Sequence, residues 1–308
     1  MPASAESTAD EVLIDHDLTG RRALVTGAST GLGEETARAL AARGAEVVLA
    51  VRDPERGAAA MDRIRAGVPG AVLSQRIVEL DSLGSVRAFT GAYLADGEPL
   101  DLLIANAGIM GCPQRSTIDG WEMQIGTNHL GHVALTVPLL PMLVDGGRVI
   151  VLSSAGHRFA DVDLDDPNFE RTAYDPWVAY GRSKTANALF ARELDRRLGD
   201  RARAFSVHPG RIVTELGRHL TEDAIASLME TMAAGAAVEW KTIPQGAATT
   251  CWAATAAELD AHGGAYLEDC HVAEPTEDPV SGTGVRAYAV DPARAVALWD
   301  RTQEWLGT

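Results

Sequence analysis

From residue 21 onward, short apolar runs alternate with segments of helical period, and this alternation limits the possible folds more than any other feature. "RRALVTG" reads as a first strand and residues 31–43 as its helix; "AEVVLAV" is a second strand, with helix 54–66. "VLSQRIVEL" is a third, followed by helix 82–96, and "LDLLIAN" a fourth, followed by a long helix over about 119–143. "GRVIVLSS" is a fifth strand; helix 177–198 then leads to a sixth, "ARAFSVH", and "GAYLE" supplies a short seventh. The strands are β-branched with little polar alternation, which fits strands buried on both faces of a parallel sheet. The expectation is an α/β, doubly wound, mostly parallel seven-stranded sheet. It forms a single domain over residues 18–308, preceded by a loose leader over 1–17. Two segments break the alternation. Residues 155–176 form a long polar insert. Residues 215–242 form an excursion with Leu220, Ile225, Leu228, Met229 and Met232 on one helical face. Long loops in compact domains are often lids.

Composition excludes several functions. A net charge of −16 disfavours binding to nucleic-acid phosphates, which depends on surplus Lys and Arg. Cys112, Cys251 and Cys270 are odd in number and lack CxxC spacing, so neither a disulfide framework nor a zinc site is expected. His129, His157 and His208 lie near the motifs below but pair with no carboxylate at ligand spacing; packing or backbone hydrogen bonding is expected of them, and no metal. The acidic N-terminus lacks a signal-peptide pattern, and no run of about 18 apolar residues could span a membrane. A cytoplasmic protein with no membrane partner is the expectation.

In "ALVTGASTGLGEETARAL", Gly27, Gly31 and Gly33 fall at a strand-to-helix junction. Glycines there permit a tight turn and let backbone N–H groups approach a pyrophosphate at the helix N-terminus. Six ordered motifs follow the same chain: "TGASTGLG" (26–33), "ANAG" (105–108), "TNHLG" (127–131), "VLSS" (151–154), "YGRSK" (180–184) and "HPGRIVTEL" (208–216). Together they resemble the motif set of the short-chain dehydrogenase/reductase family, from about residue 18 to the C-terminus. "SSAGHRF", "SKTANALFARELDRRL" and "DPARAVALWDRTQEWL" resemble its retinol dehydrogenase and WW-domain oxidoreductase branch.

The resemblance implies a Rossmann-type fold, a nicotinamide dinucleotide, and a homo-oligomer. It places Gly27, Ser29, Thr30, Gly31, Leu32 and Gly33 on the cofactor phosphates, and Asp81 and Ser82 near the adenine. Asn106, Ala107 and Gly108 would lie beside the cofactor. Pro209, Gly210, Ile212 and Thr214 would hold the nicotinamide end. Cofactor choice follows from the end of the second strand, where an acidic residue favours NAD and an Arg favours NADP. Val51 occupies that position and Arg52 follows, so NADP is expected over NAD. Asp53 either reads the ribose or caps the next helix ahead of Pro54, and Asp81 is equally a candidate cap for helix 82–96.

Tyr180 and Lys184 lie one helical turn apart and share a face. A neighbouring ammonium and an oxidised nicotinamide both stabilise phenolate and should lower the tyrosine pKa, making Tyr180 a general acid in carbonyl reduction or a base in alcohol oxidation. By resemblance Lys184 also binds the nicotinamide ribose, Ser154 binds the substrate oxygen, and Asn128 holds a water that relays protons. Ser153 competes with Ser154, because strand alternation lets only one face the site. Cys112 could line the pocket. An NADP(H)-linked interconversion of an apolar carbonyl and alcohol is expected. The alternatives are an NAD-dependent dehydrogenase of the same family, a sugar-nucleotide epimerase, or a dinucleotide-binding sensor without turnover.

Overall fold

The computed structural model describes residues 3–212, 240–278 and 283–308. Its centre is one eight-stranded sheet in the order β3-β2-β1-β4-β5-β6-β7-β8. The strands are β1 (Arg22–Thr26), β2 (Glu46–Val51), β3 (Leu73–Ile77), β4 (Leu100–Ala105), β5 (Leu143–Leu152), β6 (Ala202–His208), β7 (Tyr266–Glu268) and β8 (His271–Val272). All pairings are parallel except the last. The eighth strand, beyond the seven expected, arises because Asp269 and Cys270 both take positive φ and fold the chain back antiparallel on β7.

The helices are α1 (Ala9–Val12), α2 (Gly31–Ala41), α3 (Pro54–Gly67), α4 (Leu83–Asp96), α5 (Met123–Ile125), α6 (Gly131–Leu139), α7 (Pro176–Leu198), α8 (Ile243–Thr255) and α9 (Pro292–Leu306). Successive strand residues point to opposite faces. Ala23 and Val25 of β1 therefore pack into a core with α2 and α8, while Leu24 packs into a second core with α4, α6 and α7. Burial on both faces explains why these strands lack polar alternation. Among the described residues no helix is long and apolar enough to cross a membrane.

Three expectations are corrected. The N-terminal residues are not a loose leader. Thr8 and Glu11 form a reciprocal cap on α1, and Ala9 and Leu13 are fully buried in the α2–α8 core. The helix expected over 119–143 is broken into α5, a π-helical turn over Gly126–Leu130, α6, and a 3-10 turn over Leu140–Met142. Gly131 begins α6 because a Cβ there would lie 2.2 Å from the Leu80 carbonyl oxygen. Finally, the insert 155–176 is a packed brace rather than a lid. The Asp166 carboxylate accepts the amides of Glu170, Arg171 and Thr172, and Arg182 of α7 stacks over Phe169 at 4.1 Å. The excursion 215–242 lies outside the described residues except for Trp240, Lys241 and Thr242.

Chain order reverses at the sheet centre: β2 and β3 extend from one side of β1, and β4 onward from the other. A crevice opens at such a reversal, beyond the carboxyl ends of the strands. Thr26, the last residue of β1, ties the two sides together. Its buried hydroxyl oxygen accepts the amides of Asn106 and Ala107, each at 2.9 Å, and lies 2.9 Å from His132 Nε2. With two amides donating to it, the hydroxyl proton is free to go to Nε2. His132 then carries its own proton on Nδ1, which donates to the Asn128 carbonyl at 2.9 Å. Thr26→Val keeps the shape but strands the part-buried Ala107 amide and a buried imidazole nitrogen, while the Asn106 amide keeps its bond to the Ile104 carbonyl. A loss of about 2–4 kcal/mol is expected in urea unfolding, and a loss below about 1 kcal/mol would show that the hydroxyl is not a structural hub.

Candidate active site

The crevice is a cleft of about 380 Å³. One wall is the turn after β1. Gly27 has φ 66°, and a Cβ on Gly33 would sit 2.4 Å from the Gly27 carbonyl oxygen and 2.5 Å from Asn106 Nδ2, so only glycine closes this turn. Thr30 precedes α2 without a side-chain cap, which leaves the first amides of the helix facing the cleft. Uncapped amides at a helix N-terminus suit an anion such as a pyrophosphate. Ser29, Thr30, Gly31, Leu32, Asn106, Ala107 and Gly108 all line the cleft, and Asn106 is fixed by its Nδ2 donating to the Thr26 carbonyl at 2.8 Å.

At the far end Arg52 lines the cleft beside Asp53 and Arg56, while Val51 is buried at the end of β2. Asp53 caps α3, its Oδ1 accepting the amides of Glu55 at 2.9 Å and Arg56 at 3.2 Å. Asp81 lines the cleft with Val78 and Leu80. The cap of α4 belongs to Ser82 rather than Asp81. Its hydroxyl accepts the Ser85 amide at 3.3 Å, and Ser82 is not among the cleft-lining residues. Ile212 and Leu32 converge on Gly246 of α8, where a Cβ would meet Ile212 Cδ1 at 2.5 Å and Leu32 Cδ2 at 2.7 Å; Ile212 is not among the cleft-lining residues. Pro209 and Gly210 lie in the chain leaving β6, where Gly210 (φ 91°) leaves room for the Lys241 side chain. Thr214 lies outside the described residues.

Helix α7 carries the second half of the site. Asp175 accepts the amides of Trp177 and Val178, each at 2.8 Å, and Pro176 opens the first turn, which fixes where the helix starts and so which way Tyr180 points. Tyr180 and Lys184 are both buried, with Lys184 Nζ 5.7 Å from the Tyr180 ring centroid and donating to the Leu152 carbonyl at 3.0 Å. Of the two causes expected to lower the tyrosine, the lysine does not do so among the protein groups themselves. Burial pushes Tyr180 up to about 12, a hydrogen bond with Ser154 opposing it, and burial pushes Lys184 down to about 8. Desolvation penalises phenolate and ammonium alike, and at this distance it outweighs their attraction. Tyr180 is therefore held towards its protonated, phenol form at neutral pH.

Ser154 rather than Ser153 faces Tyr180. Ser153 Oγ is turned away and donates to the Lys184 carbonyl at 2.8 Å; Ser154 Oγ accepts the Gly156 amide at 3.0 Å. Gly156 has no side chain for a reason, since a Cβ there would lie 2.4 Å from Tyr180 Cε1. Asn128 sits in the π turn with its side chain engaged. Oδ1 accepts the Ile109 amide, and Nδ2 donates to the Ile109 carbonyl, both at 2.9 Å, and to Ser183 Oγ at 3.0 Å. A Cβ on Gly108 would lie 3.3 Å from Asn128 Oδ1 and 3.6 Å from Lys184 Nζ, so the three stand side by side.

Sequence reasoning missed the residues that brace this site. Gln124 Oε1 accepts the Gly111 amide at 2.9 Å, and Tyr174 of the insert donates to the Cys112 carbonyl at 2.9 Å, so both hold the wall that Cys112 lines. Burial pushes the Cys112 thiol up to about 11, leaving it protonated and unreactive. His132 was also missed, although its i,i+4 spacing from Asn128 was visible. His129 and His157 make the packing and hydrogen-bond contacts expected of them, and among the described residues no group of three or more acidic, His or Cys side chains could hold a metal. The assembled parts are an anion-binding turn, a buried phenol, an ammonium and a hydroxyl. They can bind a dinucleotide phosphate and deliver a proton to an oxygen beside it.

Comparison with known proteins agrees with this geometry. The family model for short chain dehydrogenases matches residues 21–225. A probable oxidoreductase of Streptomyces lividans is 43% identical over 298 residues, covering 92% of this chain and 97% of its own. Human retinol dehydrogenase 11 is 39% identical over 293 residues, covering 94% and 87%. A short chain dehydrogenase of Burkholderia cenocepacia, solved in complex with NADP, aligns at a TM-score of 0.65 and 25% identity over 82% of this chain and 97% of its own. The chain belongs to the short-chain dehydrogenase/reductase family of oxidoreductases, in its retinol dehydrogenase-like branch.

Proposed function

We propose that the protein interconverts a carbonyl and an alcohol using NADP(H), with Tyr180 as the proton donor. The observation that carries this reading is the buried phenol of Tyr180, hydrogen-bonded to Ser154 and one helical turn from Lys184, whose Nζ would lie 3.6 Å from a Cβ on Gly108 in the wall of the cleft that Arg52 lines at its far end. When bound, the nicotinamide supplies or accepts the hydride. Ser154 donates a hydrogen bond to the substrate oxygen and orients it towards Tyr180. Tyr180 gives that oxygen its proton, and Lys184 stabilises the phenolate left behind. The Asn128 side chain holds Ile109 in place. The water relay implied by resemblance would draw on its backbone carbonyl, which His132 already shares.

The choice of NADP rests on Arg52 in the cleft and on Asp53, whose Oδ1 is engaged as a helix cap. The Burkholderia cenocepacia relative solved with NADP adds support. An apolar substrate is favoured by Phe159 and Trp177, ring centroids 5.9 Å apart, which flank the start of α7. Trp177 lies one turn before Tyr180, and Phe159 Cβ would be 2.9 Å from a Cβ on Gly181.

Tyr180→Phe is expected to cut turnover about 10²–10⁴-fold while NADPH affinity stays nearly unchanged; substantial residual activity in a folded variant would remove Tyr180 from the proton transfer. Reductive kcat should hold steady on the acid side and fall as pH rises through about 8, where Lys184 loses its proton. A rate rising through that range would contradict the role given to Lys184. Arg52→Ala should weaken NADPH by tens-fold, the equivalent of about 1.5–3 kcal/mol, and leave NADH almost untouched. Equal weakening of both cofactors, or a wild type preferring NADH, would move the assignment to NAD and to Asp53.

A further inference from the structure

Ser154 lies just past the end of β5, whose ladder with β6 stops at Leu152 and Val207. Its position therefore depends on the 3-10 turn it opens, Ala155–Phe159, and on whatever holds that turn. His157, three residues on, is completely buried. Its Nε2 receives the backbone amide of Arg286 at 3.1 Å. An amide can only donate, so Nε2 is the acceptor and the ring proton sits on Nδ1. That proton is shared between the Ser154 carbonyl at 2.7 Å and Tyr266 Oη at 3.2 Å.

The same region of chain grips the turn at two more points. Tyr288 donates its hydroxyl to the His157 carbonyl at 2.8 Å, and Arg158 Nη2 donates to the Gly284 carbonyl at 2.6 Å. Residues 284–288, some 130 positions further along the chain, thus make three hydrogen bonds to the two residues 157 and 158. Gly284 is itself anchored, its amide donating to the buried carboxylate of Glu268 at the end of β7.

We propose that segment 284–288 is a positioning element that acts through His157 to hold Ser154 in register with Tyr180. The inference rests on the role read above for Ser154 but concerns what fixes it. The imidazole is a two-ended strut: one nitrogen takes the Arg286 amide, the other secures the carbonyl of Ser154. Removing it frees the serine turn without touching the cleft that holds the dinucleotide. A serine displaced by an ångström would misdirect the substrate oxygen, at a cost on the order of 10²-fold in rate.

The test compares the full-length wild type with His157→Phe, His157→Asn and Tyr288→Phe. One readout is hydrogen exchange of the peptide spanning 153–160, which needs no substrate. Exchange there should quicken at least about ten-fold in His157→Phe and to a lesser degree in Tyr288→Phe, with the β1–β4 core unchanged. His157→Asn, which keeps a donor at the Nδ1 position but loses the acceptor for the Arg286 amide, should restore only part of the protection. The second readout is ketone reduction with NADPH. His157→Phe should lower kcat on the order of 10²-fold with the NADPH Kd within about two-fold of wild type, and His157→Asn should recover part of that loss. Unchanged exchange at 153–160 in His157→Phe would overturn the proposal whatever the kinetics, as would unchanged kcat in that variant or equal losses in kcat and NADPH affinity. A wild type that reduces no carbonyl would instead overturn the function read above, and the exchange result would still judge the strut.

Discussion

The junction of β1 and β4 is the constraint on which the rest of the site depends. There a single buried threonine hydroxyl gathers two amides from the "ANAG" segment and an imidazole from α6. That hub sets the distance between the glycine turn and the opposite wall of the cleft, because Asn106 reaches back to the Thr26 carbonyl and lies against Gly33. The imidazole extends the same linkage to Asn128 in the π turn, and Asn128 fixes Ile109. The glycine-lined cleft and Asn128, beside Lys184, are thereby registered to one strand end. A π turn interrupts regular helical bonding and is often found at functional sites. Here it presents Asn128 towards Lys184 and Gly108.

Burial governs the chemistry of the second half. Tyr180 and Lys184 are both desolvated by the packing of α7 between the sheet and α9, where Phe190 stacks on Trp299. Desolvation pushes the two pKa values towards each other, the phenol up and the ammonium down. A proton held on a phenol that yields it reluctantly suits reduction, in which the acceptor is the developing alkoxide and far more basic than water.

Much of this was legible in the sequence, for local reasons. Helix 177–198 was found almost to the residue because Asp175 and Pro176 supply a cap and a first turn. Strands β1 and β2 and the glycine turn announced themselves by β-branched runs and by a spacing only glycine can meet. What went unread falls into two kinds. Some signals were present and passed over: Thr8 and Glu11 spell a capping box, and Gly126, Gly131 and Pro138 warned that one helix could not run unbroken. Others have no local signature at all. Nothing near "GHR" predicts that the chain some 130 residues later returns to hold it, nor does the polar composition of 155–176 reveal a brace, because both depend on contacts distant in sequence. The tyrosine pKa was misjudged for the same reason: spacing gave the neighbour, but not the burial that outweighs it.

The central claim is that this cleft transfers hydride to a carbonyl with NADPH. The most direct test is the loss of nicotinamide absorbance when the wild-type protein meets a panel of apolar ketones and aldehydes with NADPH or NADH. The account predicts carbonyl-dependent oxidation that is faster with NADPH, and the reverse reaction with the matching alcohol and NADP. Tight binding of NADPH with no oxidation by any carbonyl, and no reduction of NADP by any alcohol, would contradict it and leave a dinucleotide-binding protein without turnover.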